Sequence, residues 1–375
     1  MTGARRKIVR ALALATGGAP LCGPAAADTL RTDFAMVKPG VTLAFPRDHG
    51  AHPDFRIEWW YLTGWMDGLI QNQPASIGVQ ITFFRLATGR QRAHQSRFAA
   101  QQLLFAHAAL AVPGRSRLIK AERAARQGFG LAEAAEGDTA LTLGDWSLRR
   151  DAGDRYHARI TDPSLSISLS FQAQRPPLLQ GDAGFSRKGP QPAQASFYYS
   201  RPRLQAQGEI AWADDPRSGA RTTLGALRGQ AWFDHEWSSE LLDPSAQGWD
   251  WVGLHLDDGS ALMAFQVRRA DGTALWRTAH WIDREQRSAG TPSVSFEPVR
   301  RWRSPRSGAS WPVVQRLTVA GRVLELHPLL DDQELDTRGS TGITYWEGAV
   351  TVTEAGRPTG RGYLELTGYA QAMRI

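Results

Sequence analysis

Short segments in which apolar and polar residues alternate recur along this 375-residue chain and limit its fold class. The clearest is 165–171, LSISLSF, in which every second side chain points to the same face of a strand. Gly, Asp, Asn and Pro separate such segments. The pattern predicts an antiparallel all-β protein, and barrels or sandwiches are the expected architectures. The predicted strands are 58–66, 76–85, 102–112, 165–171, 229–233, 249–256, 261–268, 316–326, 345–353 and 362–369.

One segment, 116–127, is predicted to be helical instead. Its apolar residues Leu118, Ile119, Ala121 and Ala125 follow a helical spacing rather than strict alternation.

Several features occur twice in the same order, which indicates an internal duplication. The matched features are Trp60 and Trp251, each at the same distance before an Asp-Gly pair; His107 and His280; Pro177-Leu178-Leu179 and Pro328-Leu329-Leu330; Tyr198-Tyr199 and Tyr345-Trp346; and Asp234 and Glu365. The duplication predicts one domain at 28–240 and a second at 241–375.

Residues 1–27 have the composition of a signal peptide. They hold Arg5, Arg6, Lys7 and Arg10, no acidic residue, a short Ala/Leu/Gly stretch, and an A-x-A site that ends at Ala27. The adjacent arginines resemble a twin-arginine signal. We therefore expect export, with cleavage near Ala27, and a periplasmic or secreted product. The alternative is an N-terminal extension that stays in the cytosol.

The signal segment also explains most of the net charge. The whole chain carries +7, and removal of four basic residues leaves 7 − 4 = +3. No dense basic block remains, which argues against nucleic-acid binding. A single Cys22 excludes a disulfide framework and a multi-cysteine zinc site. No apolar run is long enough for a transmembrane helix, and no cofactor motif is found.

Three segments resemble the AttH-type exported proteins, which are related to carotenoid 1,2-hydratases (the hydroxyneurosporene synthase group). They are Asp48-His49-Gly50-Ala51-His52 followed by Glu58-Trp59-Trp60-Tyr61-Leu62-Thr63-Gly64; Asp234-His235-Glu236-Trp237-Ser238; and Trp249-Asp250-Trp251. The resemblance covers nearly the whole chain after residue 27. It implies two tandem lipocalin-like β-barrels, in agreement with the duplication, and a possible partnership with components of an ABC-type transporter.

Aromatic residues on the first strand of each copy are candidates for ligand binding. A small barrel can hold an apolar ligand in its mouth, and Trp and Tyr suit such a site. Trp59 and Tyr61 share one strand face, whereas Trp60 lies on the other. The structural alternative is that Trp60 and Trp251 close the barrel ends. The candidate binding residues are Trp59, Trp60, Tyr61, Trp249 and Trp251.

The segment 234–237 is the sharpest candidate for catalysis. His235, Glu236 and Trp237 have no counterpart in the second copy, and a His beside carboxylates such as Asp234 suits acid–base chemistry. The resemblance implies that His235-x-Trp237 corresponds to a His-x-Trp pair of the hydratase active site. The alternative is a buried structural histidine between the barrels.

Hydration of an alkene requires a strong proton donor in an apolar site. The resemblance implies an acid on the strand at 261–266, and that strand has no carboxylate here. We expect Glu58 or Asp250 to replace it, because burial among tryptophans would raise the pKa of either carboxyl.

Several other polar residues have alternative interpretations. His49 and His52, near Asp48 and Asp54, suggest either a metal site or a loop that caps the first barrel. His107 is either a ligand contact or a hydrogen-bonded structural residue.

Tyr199 and Arg201 are candidates for the rim of a pocket, where the guanidinium could meet an acidic head group. The alternative for Arg201 is a surface position beside Pro202.

Two functions are consistent with these residues. The first is an exported protein that binds an apolar ligand, a lipid or isoprenoid, for a transporter. The second is a hydro-lyase that adds water to an isoprenoid double bond. No Gly-x-Ser-x-Gly segment supports a hydrolase of the α/β type.

Overall fold

The computed structural model describes residues 34–89, 99–215, 217, 219–240, 242–285, 287–288 and 290–373. The predicted signal peptide, 1–27, lies outside this range. None of the described segments contains a helix with the length and hydropathy needed to span a bilayer.

The described chain is an all-β structure with two antiparallel sheets, as the alternation predicts. A short 3-10 helix at Arg47–His49 precedes the first strand. The strands are β1 (Ile57–Ile70), β2 (Gln73–Ala87), β3 (Gln102–Ala111), β4 (Ile119–Arg126), β5 (Ala132–Ala134), β6 (Ala140–Leu143), β7 (Trp146–Arg150), β8 (Arg155–Thr161), β9 (Leu165–Gln172), β10 (Leu178–Leu179), β11 (Phe185–Arg187), β12 (Ala195–Trp212), β13 (Thr222–Ser238), β14 (Gly248–Leu256), β15 (Ala261–Arg268), β16 (Ala274–Ile282), β17 (Val294–Arg303), β18 (Ser310–Val319), β19 (Arg322–Pro328), β20 (Glu334–Thr337), β21 (Ile343–Glu354) and β22 (Arg357–Leu366).

The first sheet curls into a nearly closed barrel. Its strand order is β4-β3-β2-β1-β13-β12-β9-β8-β7-β6-β5, and β10 and β11 also pair with β12. Its interior holds Trp60, Phe83, Trp146 and Trp237 among other buried apolar residues.

The second sheet forms a half-barrel with the order β16-β15-β14-β22-β21-β19-β18-β17, and β20 pairs with β21. The architecture therefore matches a tandem lipocalin-like fold, as predicted.

The two sheets share a related order of strands. In each, the first strand (β1 or β14) lies between the second strand and the last strand of that sheet. Strands of the first sheet fall within 57–238 and those of the second within 248–366. The division at 240/241 itself stays a prediction.

Two segments differ from the sequence prediction. The helix predicted at 116–127 is wrong, because this segment forms strand β4, which pairs with β3 along its length. The strand predicted at 316–326 is two strands, β18 and β19, joined by a turn at Ala320 and Gly321, both with positive φ.

The sheets pack face to face through a third apolar cluster, so Phe34–Ile375 forms one compact unit. The cluster takes Tyr61, Trp65 and Trp232 from the first sheet and Trp251 and Tyr363 from the second, among others. Trp65 Nε1 donates a hydrogen bond to the carbonyl of Gly362 (3.0 Å), and Trp251 Nε1 donates one to the Tyr198 hydroxyl (3.2 Å).

Gly78 permits a close approach of β2 to the second sheet. A Cβ atom at this position would lie 2.5 Å from Ala349 Cβ and 2.8 Å from the Tyr363 hydroxyl. We expect Gly78→Val to lower the free energy of unfolding by roughly 1–3 kcal/mol, because the sheets must separate locally to admit the side chain. Urea unfolding measures this loss. Gln73→Val, at the exposed start of β2, is the control, and equal stability of the two variants would contradict this role for Gly78.

Candidate functional site between the sheets

A cavity of about 340 Å³ lies between the two sheets, within the size range of small-molecule sites. Its apolar walls come from both sheets, with Trp59 and Phe84 from the first and Trp249, Trp251 and Phe265 from the second. These side chains lie on the strand faces that point away from the two barrel interiors. The cavity is formed by the packing of the sheets against each other and not by a barrel mouth, so the ligand site expected in a barrel mouth stays a prediction.

The polar end of the cavity contains carboxyl groups from both sheets. Asp234 and Glu236 are two residues apart on β13, and both line the cavity. Glu347 on β21 and Glu365 on β22 are paired neighbours that line it too. Strand alternation explains the grouping, because residues two apart on β13 point to the same side.

Asp234 is held by three donors. The Tyr198 hydroxyl lies 2.8 Å from Oδ2, and Trp232 Nε1 and Ser200 Oγ lie 2.7 and 2.5 Å from Oδ1. Burial raises the pKa of Asp234 to about 7, although the three donors favour the ionised form. This carboxyl is a candidate proton donor near neutral pH.

The pKa values of Glu347 and Glu365 are also raised, as that of Asp234 is. Burial and the neighbouring carboxyl of Glu365 raise the pKa of Glu347 well above its usual value. Burial, with Glu236 and Asp234 nearby, raises the pKa of Glu365 to about 7. The Tyr61 hydroxyl donates a hydrogen bond to Glu347 Oε1 across the sheet interface.

Lys188 supplies a buried cation at this end of the cavity. Its Nζ lies 2.9 Å from Glu236 Oε1 and packs over the rings of Tyr198 and Phe265. Burial lowers the pKa of Lys188, and the Glu236 carboxylate opposes that change. Glu236 is therefore one half of a buried ion pair.

A second polar cluster, centred on Glu58, lies at the end of the first barrel. Glu58 Oε1 contacts His52 Nδ1 (2.7 Å) and His235 Nε2 (2.9 Å), and Glu58 Oε2 accepts a hydrogen bond from Arg85 Nε (2.7 Å). His52 stacks on Trp237 with ring centres 3.7 Å apart. We call Glu58, His52, His235 and Arg85 the Glu58 cluster.

The pKa of Glu58 is shifted in the direction opposite to the one expected from the sequence, which was a raised value. Burial alone raises it, but the Arg85 guanidinium and the adjacent histidines hold it well below the usual value. The expectation that Glu58 acts as a raised-pKa acid is therefore wrong.

Asp250, the other carboxyl considered from the sequence, is buried and ion-paired. It lies 3.0 Å from Arg268 Nε and accepts a hydrogen bond from Gln266.

His235 is held in one tautomer by a chain of hydrogen bonds. Arg201 Nη2, which can only donate, lies 3.2 Å from His49 Nε2, so His49 carries its proton on Nδ1, 2.7 Å from the Tyr199 hydroxyl. Tyr199 can then donate to His235 Nδ1 (3.3 Å), which leaves His235 Nε2–H to donate to Glu58. Burial lowers the pKa of His235 to about 4, so the ring is neutral at pH 7.

His52, Glu58 and His235 also form a possible metal-binding set, with ligand atoms within 4.8 Å of one another. Their donor atoms already contact each other at 2.7 and 2.9 Å, and Arg85 occupies the second carboxylate oxygen. A metal would have to break these bonds and reverse the tautomer of His235. The residues therefore fit a self-satisfied network better than a metal centre.

The structure separates the predicted site residues into two groups. Trp59, Tyr61, Trp249 and Trp251 line the cavity, together with Asp234, Glu236 and Glu58.

The others lie elsewhere. Trp60, Tyr199 and Trp237 pack inside the first barrel. Arg201 is buried there and paired with Asp154 (2.6 Å), so a rim position for it is wrong. His107 is buried between the Tyr345 hydroxyl (2.9 Å) and Ser340 Oγ (3.0 Å).

The polar cavity residues Glu347 and Lys188 were not predicted as site residues, and Glu365 and Tyr345 were identified only as counterparts of Asp234 and Tyr198 in the duplication. The duplication was the feature of the sequence that could have identified this cavity, because it matches Asp234 of the first copy with Glu365 of the second. Two copies that pack through the same faces bring both acids into one cavity.

His52 predicts a pH effect on stability. Burial alone lowers the pKa of His52, but Glu58 and Asp48 raise it above the usual value. The native state therefore holds this proton more tightly than the unfolded state. The stabilisation is complete below the unfolded pKa and is lost as pH rises through the native pKa.

We expect His52→Phe, which keeps a ring on Trp237, to be destabilising at pH 5.5 and less so at pH 9. Urea unfolding at both values measures the difference. His157→Phe, at the exposed His157–Asp151 pair, is the control. A loss for His52→Phe that is independent of pH would contradict the assignment.

Comparisons with known proteins agree on the fold. The AttH-like family model matches residues 36–369. A crystal structure of an AttH protein from Nitrosomonas europaea is 45% identical, covers 90% of this chain and 100% of that chain, and gives a TM-score of 0.80. Kievitone hydratase from Nectria haematococca is 14% identical, covers 90% and 96% of the two chains, and gives a TM-score of 0.66. No curated protein sequence matches significantly.

Proposed function

The chain belongs to the AttH-like family, and from that premise we propose that it binds an apolar molecule, of the lipid or isoprenoid class, in the cavity between its sheets. The observation that carries this proposal is the cavity itself, with aromatic walls and a polar end. Apolar walls supply affinity through burial, and a few polar groups fix the orientation of the ligand.

Tryptophan fluorescence tests binding. Titration of the protein with decan-1-ol is expected to change the emission, because Trp59, Trp249 and Trp251 line the cavity. Trp59→Ala is expected to weaken binding at least about fivefold, since it removes a wall of the site.

Trp302→Ala is the matched control, because Trp302 is also partly buried but packs in the second half-barrel. Equal affinity of the two variants would contradict the proposed site. Solvent extraction of protein purified from its own host, followed by mass spectrometry, then identifies the natural ligand.

The raised pKa values of Asp234 and Glu365 favour a second function, addition of water to an isoprenoid alkene. The carboxylic acid would give its proton to one alkene carbon, and the oxygen of water would bond to the resulting carbocation. The added water then loses a proton, which returns to the carboxylate. The aromatic walls would stabilise the cation.

Incubation with a short isoprenoid alcohol in ¹⁸O-labelled water tests this function. A hydrated product containing the label, lost in Glu365→Gln, supports the hydro-lyase. A ligand recovered unchanged supports binding alone. Turnover that survives His235→Ala would exclude His235 as a catalytic residue.

We also propose export by the signal at 1–27 and delivery of the ligand to an ABC-type transporter. The support is the sequence of the first residues and the family resemblance. Cell fractionation tests the export, and Arg5→Lys with Arg6→Lys is expected to retain the protein in the cytoplasm if the route is the twin-arginine one. Cofractionation with transporter components tests the partnership.

A further inference from the structure

Glu347 and Glu365 form an unusual pair at the polar end of the cavity. They are directly opposite each other in the register of β21 and β22, and both line the cavity. Like charges in this arrangement destabilise a sheet. Such a pair is tolerated only where its charge is compensated, either by protons on the carboxyls or by a cation placed between them.

Three cations line the cavity, namely Arg56, Arg85 and Lys188, and the last two are already paired with other carboxylates. Arg85 pairs with Glu58 (2.7 Å), and Lys188 pairs with Glu236 (2.9 Å). Across the described residues, no ion pair joins Glu347 or Glu365 to a Lys, Arg or His side chain. Glu347, which is 2% exposed, instead accepts a hydrogen bond from the neutral hydroxyl of Tyr61.

Aromatic rings surround the same two carboxyls. Trp251 is opposite Glu365 in the register of β14 and β22, and Tyr345 is on the same face of β21 as Glu347. Tyr61 approaches from the first sheet. Carboxylates enclosed by aromatic faces are the groups that bind an organic ammonium, through charge-assisted hydrogen bonds and cation–π contacts.

We propose that the cavity takes an amphiphilic molecule whose polar end is a protonated amine, held between Glu347 and Glu365. Its apolar part would lie against Trp59, Trp249 and Phe84. The proposal rests on ligand binding in this cavity and names the chemical class of the ligand. An ammonium would supply the positive charge that no ion pair of the described residues gives Glu347 or Glu365, whereas a fatty acid would add a further negative charge.

Three probes of equal chain length test this class, namely decylamine, decan-1-ol and decanoic acid, each titrated into the full protein at pH 8. Isothermal titration calorimetry is expected to show the amine binding at least about tenfold more tightly than the alcohol. The acid is expected to bind more weakly than the alcohol.

The variant Glu347→Gln with Glu365→Gln keeps the size of both side chains and removes their charge. It is expected to lose the preference for the amine while it still binds decan-1-ol, which shows that the cavity is intact. Glu133→Gln, on the exposed side of β5, is expected to keep the preference.

Each other outcome is decisive. Equal affinity for amine and alcohol would overturn the amine proposal and leave the binding of an apolar ligand standing. A preference for the amine that survives the double variant would overturn the role of the two glutamates. Absence of binding by all three probes would overturn both the amine proposal and the proposed function.

Discussion

Replacement of Arg85 with Met is expected to lower the free energy of unfolding by about 3–5 kcal/mol, because it leaves the carboxylate of Glu58 buried without its cation. Both side chains are at most 1% exposed, and Nε lies 2.7 Å from Glu58 Oε2. Arg85 also donates to the Gln102 side chain and to the carbonyls of His52 and Phe55. Its loss therefore loosens the loop that precedes β1 as well as the Glu58 cluster.

Urea unfolding measures the change, and Arg300→Met is the matched control. Arg300 pairs with Asp331 through two short contacts, but both side chains are exposed. An exposed pair contributes about 0–1 kcal/mol. Similar losses for the two variants would show that burial of the Arg85–Glu58 pair is not what makes it important.

Replacement of Glu365 with Gln is expected to change stability in a pH-dependent way. Relative to the wild type, the variant should be more stable at high pH than at low pH. The native pKa of about 7 is above the usual value of 4.5, so the native state holds this proton more tightly than the unfolded state. The protonated carboxyl is favourable below pH 4.5, and that benefit is lost as pH rises through 7. From pH 4.5 to pH 8, the free energy of unfolding of the variant should therefore rise by about 3 kcal/mol relative to that of the wild type.

Chemical unfolding of both proteins across this pH range gives the difference directly. Glu133→Gln, at an exposed carboxyl, is the control. A gap for Glu365→Gln that does not widen with pH would mean that the carboxyl is solvated or paired in the native protein.

The fold could largely be predicted because the alternation of apolar and polar residues is visible within individual segments of the sequence. Strand β15, Ala261–Arg268, was predicted with the same bounds that the structure gives. The segment that forms β4 was not predicted to be a strand. Because β4 is an edge strand whose residues are mostly half-buried, its buried and exposed residues do not alternate clearly. Its alanines and arginines favour a helix locally, and pairing with β3 overrides that preference.

A one-residue error in the duplication explains why Trp60 was placed in the ligand site. Spacing to an Asp-Gly pair matched Trp60 with Trp251, but Asp67 and Gly68 lie inside β1, whereas Asp258 and Gly259 lie in a turn. Register pairs Tyr61 with Asp234 and Trp251 with Glu365, which makes Tyr61 the counterpart of Trp251. A slip of one residue exchanges the two faces of a strand.

The candidate site could be predicted only in part, since it is formed by two sheets that are distant in sequence. Trp59 and Trp249 were identified from local patterns, and both line the cavity. Whether Glu236 is a free acid or an ion-pair partner depends on Lys188, which local patterns did not connect with it. The low pKa of Glu58 likewise depends on Arg85, which is on the next strand.

The position of a bound ligand tests the central claim most directly. Crystals grown with a brominated decanol would give an anomalous bromine signal that locates the apolar chain. We predict a peak between Trp59 and Trp249, in the cavity that both sheets line. A peak inside the first barrel or only on the outer surface would contradict the assignment of the ligand site to the space between the sheets.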